Sequence, residues 1–290
     1  MSAADPVVAP LRRAPRRVAP LRGQGRFLRS EMGMVFRRRR NVVLLVILGL
    51  VPVLISVAVE VGGHPRHAGS IFNGITDNGL FAALAAFLVI SPLFLPLVVS
   101  VVAGDSVAGE ANTGTLRYLL VIPAGRTRLL AVKLTAILAW CLACVLTVAV
   151  VGVLAGLIFF PSGELTLLSG RTISYSAGIG RLALVLLYVA GTVLTVGAIG
   201  LFVSTMTEVP IAAMAATLTL TIVSEVADAV PQLSAIHSWL PSHYWLKWID
   251  LLRDPVMTDG ITTGLWVALA YVAVFVSLAW ARFTSKDVTS

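Results

Sequence analysis

The chain has 290 residues, 58% of them hydrophobic and 12% charged, with a mean hydropathy of +0.92 and a net charge of +8. Soluble domains carry about 25% charged residues, so this composition excludes an ordinary soluble fold and leaves room for one polytopic membrane domain. The positive charge does not describe a nucleic-acid binder, because eleven of the 22 basic residues are arginines within the first 40, ending in Arg37–Arg40 just before the first apolar run.

Residues 1–24 are rich in Pro, Ala and Arg, lack any period, and read as a disordered basic leader that touches anionic lipid. In residues 26–36 (RFLRSEMGMVF), Phe27, Leu28, Met32, Val35 and Phe36 fall mostly on one side of a helix. That pattern predicts an amphipathic helix lying at the membrane interface, the other reading being a continuation of the tail. A bilayer core takes about 20 apolar residues per helix. On that rule the sequence predicts spans near 41–60, 79–103, 130–158, 182–204, 209–229 and 262–282. The first is not a secretory signal, because a 40-residue basic leader is too long and five more spans follow. The expected fold is an all-α membrane protein, with residues 25–290 forming one six-span domain.

Six spans place both termini on one side, and the arginine run makes that side cytoplasmic. Only Arg66, Arg171, Arg181, Lys247 and Arg253 then face outward, leaving 17 basic residues inside. Trp239, Trp245, Trp248, Trp266 and Trp280 fall where an interfacial aromatic belt would lie. The outer segment 230–261 is aromatic and prolyl and reads as short helices re-entering or lying on the outer leaflet. Nineteen arginines against three lysines point to a GC-rich bacterial genome, hence a bacterial plasma membrane. Cys141 and Cys144 share a face of the third span and read as inert buried thiols. Gly152 and Gly156 permit close helix approach within one chain or between two. Pro52, Pro92 and Pro96 would kink their spans.

The segment that this plan does not require is polar. Residues 104–133 read GDSVAGEANTGTLRYLLVIPAGRTRLLAVK, between two apolar runs and facing the cytoplasm. Asp105 and Glu110 suit the start of a short helix, Thr113-Gly114-Thr115 a break with hydroxyl caps, and Pro123 and Gly125 a turn. Residues 104–128 therefore read as a helix–break–helix docking surface, or as a solvated tether.

The pattern Asp105, Glu110, Gly114-Thr115-Leu116, Leu119-Leu120, Pro123, Arg126 and Lys133 resembles the cytoplasmic signature of the permease subunits of type-2 ABC exporters. The basic lead-in helix, the six spans and the long outer segment before the sixth are also similar, so the resemblance covers roughly residues 25–287. It implies a half-transporter whose loop docks on a separate cytoplasmic ATPase, with Asp105, Glu110, Thr115, Arg117 and Arg126 pairing with that partner or bracing the loop. Gly114, Leu116 and Pro123 would complete the coupling element. Lys133 would join it or snorkel to lipid phosphate. The working unit would be two permeases, identical or paralogous, with two ATPases that carry the ATP and Mg. No G-x-x-x-x-G-K-[ST] occurs in the chain, so no P-loop and no cofactor is expected on it.

Glu225 and Asp228 lie three residues apart near the outer end of the fifth span, as substrate-path candidates or as interfacial charges. His64, His67, His237 and His243 all fall outside, with nothing in sequence to bring them together, so no metal site is expected. A His243 pair with Asp250 or Asp254 has no nucleophile motif beside it, so no enzyme is expected either. The function expected is export of a drug-, peptide- or lipid-like substrate. The alternatives are a secondary transporter or channel without an ATPase, and a membrane scaffold or immunity factor.

Overall fold

The computed structural model describes residues 24–62, 70–114 and 126–285. The expected leader, His64, His67, Thr115, Leu116, Arg117 and Pro123 lie outside them. In chain order the helices are α1 (Gln24–Arg37), α2 (Arg39–Gly62), α3 (Ser70–Asp77), α4 (Leu80–Ile90), α5 (Phe94–Asn112) and α6 (Arg126–Phe159). A two-stranded antiparallel hairpin follows, β1 (Leu165–Thr166) with β2 (Thr172–Ile173). Then come α7 (Tyr175–Met206), α8 (Pro210–Ala229), the one-turn α9 (Ser234–His237) and α10 (Asp259–Ser285). Six of these helices, α2, α5, α6, α7, α8 and α10, are long and apolar enough to cross a membrane, so the chain is a multi-pass, all-α membrane protein carrying one small hairpin.

The second span departs from the expectation. The apolar run 79–103 is two helices, α4 and α5, separated by a turn at residues 91–93. Pro92 cannot continue α4. The break also removes the penalty of Pro96, which now lies in the first turn of α5, where backbone N–H groups have no intrahelical partner anyway. So two prolines that read as kinks produce one interruption. Asn78 sets the start of α4: its side-chain carbonyl accepts from the Leu80 N–H and its amide donates to the Gly163 carbonyl.

Every residue of α4 from Leu80 to Phe87 is buried. It lies against α6 so closely that a Cβ on Gly156 would meet the Gly79 carbonyl oxygen at 2.0 Å, and one on Gly152 would meet the Ala83 Cα at 2.6 Å. The G-x-x-x-G of the third span is therefore occupied within this chain. Helix α7 packs against α5, α6, α8 and α10. Large apolar side chains such as Leu54, Val61 and Ile211 remain exposed on α2 and α8, as lipid-facing surfaces require.

Residues 230–258 form 3-10 turns and α9, packed on the ends of α7, α8 and α10. Trp239, Trp266 and Trp280 are exposed, but Trp245 and Trp248 are buried, and Trp248 meets Phe87 edge-on at 6.5 Å. These two indoles belong to the core and not to a belt, because the short turns fold them inward. Cys141 and Cys144 are free and fully buried.

Candidate functional site

The polar island begins as a continuation of a span. Helix α5 runs without interruption through Asp105 and Glu110 to Asn112, and stops at Gly114, whose φ of +71° only glycine adopts freely. The two acids therefore sit in the last turns of a helix and not at the start of one, contrary to the expectation. There the helix dipole presents its negative end, which repels carboxylates. Cations from other elements offset that cost.

Asp105 is held by Arg38 and Arg40, the latter at 2.9 Å. Both arginines flank the junction of α1 and α2. Asn41 fixes that junction by donating its side-chain amide to the Val35 carbonyl at 2.7 Å, one of the carbonyls that the end of α1 leaves open.

Glu110 is held by Lys133 of α6. The ammonium donates to Glu110 Oε1 at 2.7 Å and to the Ser106 carbonyl at 2.7 Å, and lies 3.5 Å from Glu31 Oε1 of α1. The Lys133 side chain is 2% exposed, so it points into the protein and does not snorkel to lipid. Side-chain exposures of 6% for Glu31 and 12% for Glu110 make this a buried triad of two carboxylates on one ammonium. Burial raises the Glu31 carboxyl above its ordinary range, opposed by Lys133 and assisted by Glu110.

Glu31 is the residue that sequence reasoning missed. Its signal was present: it is the one acid between Asp5 and Glu60, and it falls on the same helical face as Phe27, Leu28 and Val35. A carboxylate inside an apolar stripe needs a buried partner. The amphipathic face of α1 reaches α6, where Phe36 meets Trp140 with ring centroids 5.6 Å apart.

Glu31, Arg38, Arg40, Asn41, Asp105 and Lys133 are among the residues lining a cleft of about 50 Å³, room for a few waters and no larger ligand. A fifth helix joins through Ser204 of α7. Its buried hydroxyl donates to the Gly104 carbonyl at 2.7 Å and accepts from the N–H groups of Val107 and Ala108 at 3.0 and 2.8 Å. A foreign hydroxyl in the ladder of α5 marks the turn where the acidic end can bend relative to the span. The arrangement pairs the charges of α5 with residues of the neighbouring helices. Its described residues include no nucleophile–base pair.

Of the expected coupling residues, Asp105 and Glu110 are in this cluster, Gly114 ends α5, and Arg126 opens α6. Glu225 and Asp228 lie at the opposite end of the molecule, in the last turns of α8. There Asp228 Oδ1 is 2.7 Å from His243 Nδ1 and 4.0 Å from His237 Nδ1. His237 and His243 thus do converge on a carboxylate, which spacing alone did not indicate. The expected partners of His243 are engaged elsewhere, Asp254 by Arg171 and Asp250 by Arg253.

Residues 50–289 match the model of a family described as a protein of unknown function, DUF2705. No curated protein matches the chain.

Proposed function

The chain belongs to the DUF2705 family, whose description assigns no activity, and on the physical evidence of the polar cluster we propose that it is the permease subunit of an ATP-driven exporter. A separate ATPase, in two copies, docks on the segment 104–128, and a second permease copy completes the unit. The termini lie in the cytoplasm of a bacterial cell, α1 lies at the inner interface, and the turns of residues 230–258 rest on the outer leaflet.

The observation that carries this reading is the cross-tying at the end of α5. Asp105 joins the α1–α2 junction, Glu110 joins α6 and Ser204 joins α7. A push on the segment that follows Gly114 would reach four helices through hydrogen bonds, most of them charge-assisted and so stronger than neutral ones. A tether that merely connects two spans has no need of this. ATP binding closes the ATPase pair, the docked segment moves, and α5 and α6 move with it. Substrate enters between the two permeases from the cytoplasm or inner leaflet and leaves outward. The sparse charge of the spans suits an amphipathic or lipid-like cargo.

Asp105 and Glu110 are internal braces on this reading, because their partners lie in the same chain. Contact with the ATPase falls to Thr115, Leu116, Arg117, Pro123 and Arg126. The test is co-purification from native membranes in mild detergent, comparing the wild type with an Arg117→Ala, Arg126→Ala double variant. A P-loop ATPase retained by the wild type and lost from the variant is the expected result. Its absence from an intact wild-type complex would sink the proposal and favour an ATPase-independent transporter.

A further inference from the structure

At the end of α8 opposite the polar cluster, one ligand atom each from Asp228, His237 and His243 lie within 4.8 Å of one another. From their geometry we propose that Asp228, His237 and His243 form a binding site for a borderline divalent transition-metal ion, Zn²⁺ above all. The inference does not depend on the exporter reading.

Three observations carry it. The first is a tautomer fixed by the backbone. His237 Nε2 lies 3.1 Å from the Val230 carbonyl. A carbonyl only accepts, so Nε2 carries the proton, and in the neutral ring Nδ1 is a bare lone pair. That lone pair lies 4.0 Å from Asp228 Oδ1. Two acceptors face each other, and a cation between them satisfies both. A metal-bound histidine characteristically donates its other ring nitrogen to a carbonyl in this way.

The second is that the turn presenting His243 is held in place. The Ser242 hydroxyl bonds the Ser224 hydroxyl of α8 at 2.7 Å, and Tyr188 of α7 donates to the Tyr244 carbonyl at 2.7 Å. His243 Nδ1 is thereby placed 2.7 Å from Asp228 Oδ1. Around a tetrahedral ion with bonds of about 2 Å, ligand atoms lie roughly 3.3 Å apart, so closure from the present spread needs side-chain shifts of about 1–1.5 Å.

The third is the donor set. Two imidazoles and a carboxylate suit zinc and leave a fourth position for water. Calcium and magnesium prefer oxygen ligands and would compete poorly. Binding displaces any proton from the coordinating nitrogen of His243 and so weakens in acid. The bound ion would clamp the segment 230–244 to the end of α8.

The experiment uses the full chain without a histidine tag, reconstituted in nanodiscs. Bound zinc is counted after equilibrium dialysis against micromolar Zn²⁺, and Co²⁺ absorption reports the ligand geometry. We expect one Zn²⁺ per chain, unaffected by excess Mg²⁺, and retained by a His64→Ala, His67→Ala variant. A His237→Ala, His243→Ala variant should lose it, and Asp228→Asn should weaken it by at least roughly 10–100-fold, the effect of disturbing even an outer-shell partner. Continued burial of Cys141 and Cys144 against a thiol-reactive dye shows that each variant is folded. No zinc on the wild type, or zinc that survives in the folded His237→Ala, His243→Ala variant, overturns the proposal.

Discussion

One ammonium, that of Lys133, is shared by two buried carboxylates, Glu31 and Glu110. Burial favours keeping the proton on a carboxyl, and at Glu31 the nearby Glu110 adds to that effect while Lys133 opposes it. Burial accordingly raises Glu31 above 4.5. The folded chain then holds that proton more tightly than the unfolded one. The stability linked to Glu31 is fully present below 4.5 and is lost as pH rises through the raised folded value. Glu31→Gln should abolish this component: the difference in unfolding temperature between variant and wild type will grow with rising pH across that window. Lys133→Met has the opposite character. It takes the shared ammonium away from two buried carboxylates and should cost roughly 3–5 kcal/mol. Thermal unfolding followed by dye reaction at the buried Cys141 and Cys144 measures both. Asp105 and Glu110 stood out in sequence as acids in an apolar chain. Their partners did not, because whether Lys133 points to lipid or to protein depends on the rotation of α6, which a 34-residue apolar helix does not reveal.

Among the elements, the six spans were legible because a bilayer imposes one length and one composition on each. The interruption of the second was not. A hydropathy window averages across Ser91-Pro92-Leu93 and registers a single run. The physical reasons for two helices are Pro92, which cannot continue α4, and the packing of α4, buried from Leu80 to Phe87. The seam between α4 and α6 rests on Gly79, Gly152 and Gly156. A methyl group on Gly156 would lie 2.0 Å from a backbone oxygen, and backbone cannot swing aside as a side chain can. Gly156→Ala should therefore force the two helices apart and cost about 1–3 kcal/mol, the usual penalty for overpacking. Gly163→Ala, where nothing lies within 4 Å of the added carbon, is the matched control in the same unfolding assay. Equal stability of the two variants would mean that α4 and α6 are not in contact in the membrane.

For the whole molecule, connectivity puts the Glu31–Lys133–Glu110 triad at one end of the helices and the Asp228–His237–His243 group at the other. The proposal that the first end faces the cytoplasm rests on the charge distribution. The first end carries Arg37 to Arg40, Arg126 and Arg128, and the positive-inside rule assigns such an end to the cytoplasm. The second end carries exposed Trp239 and Trp266, the Arg171–Asp254 and Arg253–Asp250 ion pairs, and Asp228 with two histidines. The two buried cysteines make the orientation simple to test, since replacing both with alanine leaves a background with no thiol. Asn112 and Met257 are exposed at the two ends. A membrane-impermeant maleimide added to intact cells should label Met257→Cys and spare Asn112→Cys, and lysis should expose both. The reverse pattern would place the end of α5 outside, where no ATPase could reach it, and would remove the exporter proposal while leaving the metal site to be judged by its own binding measurement.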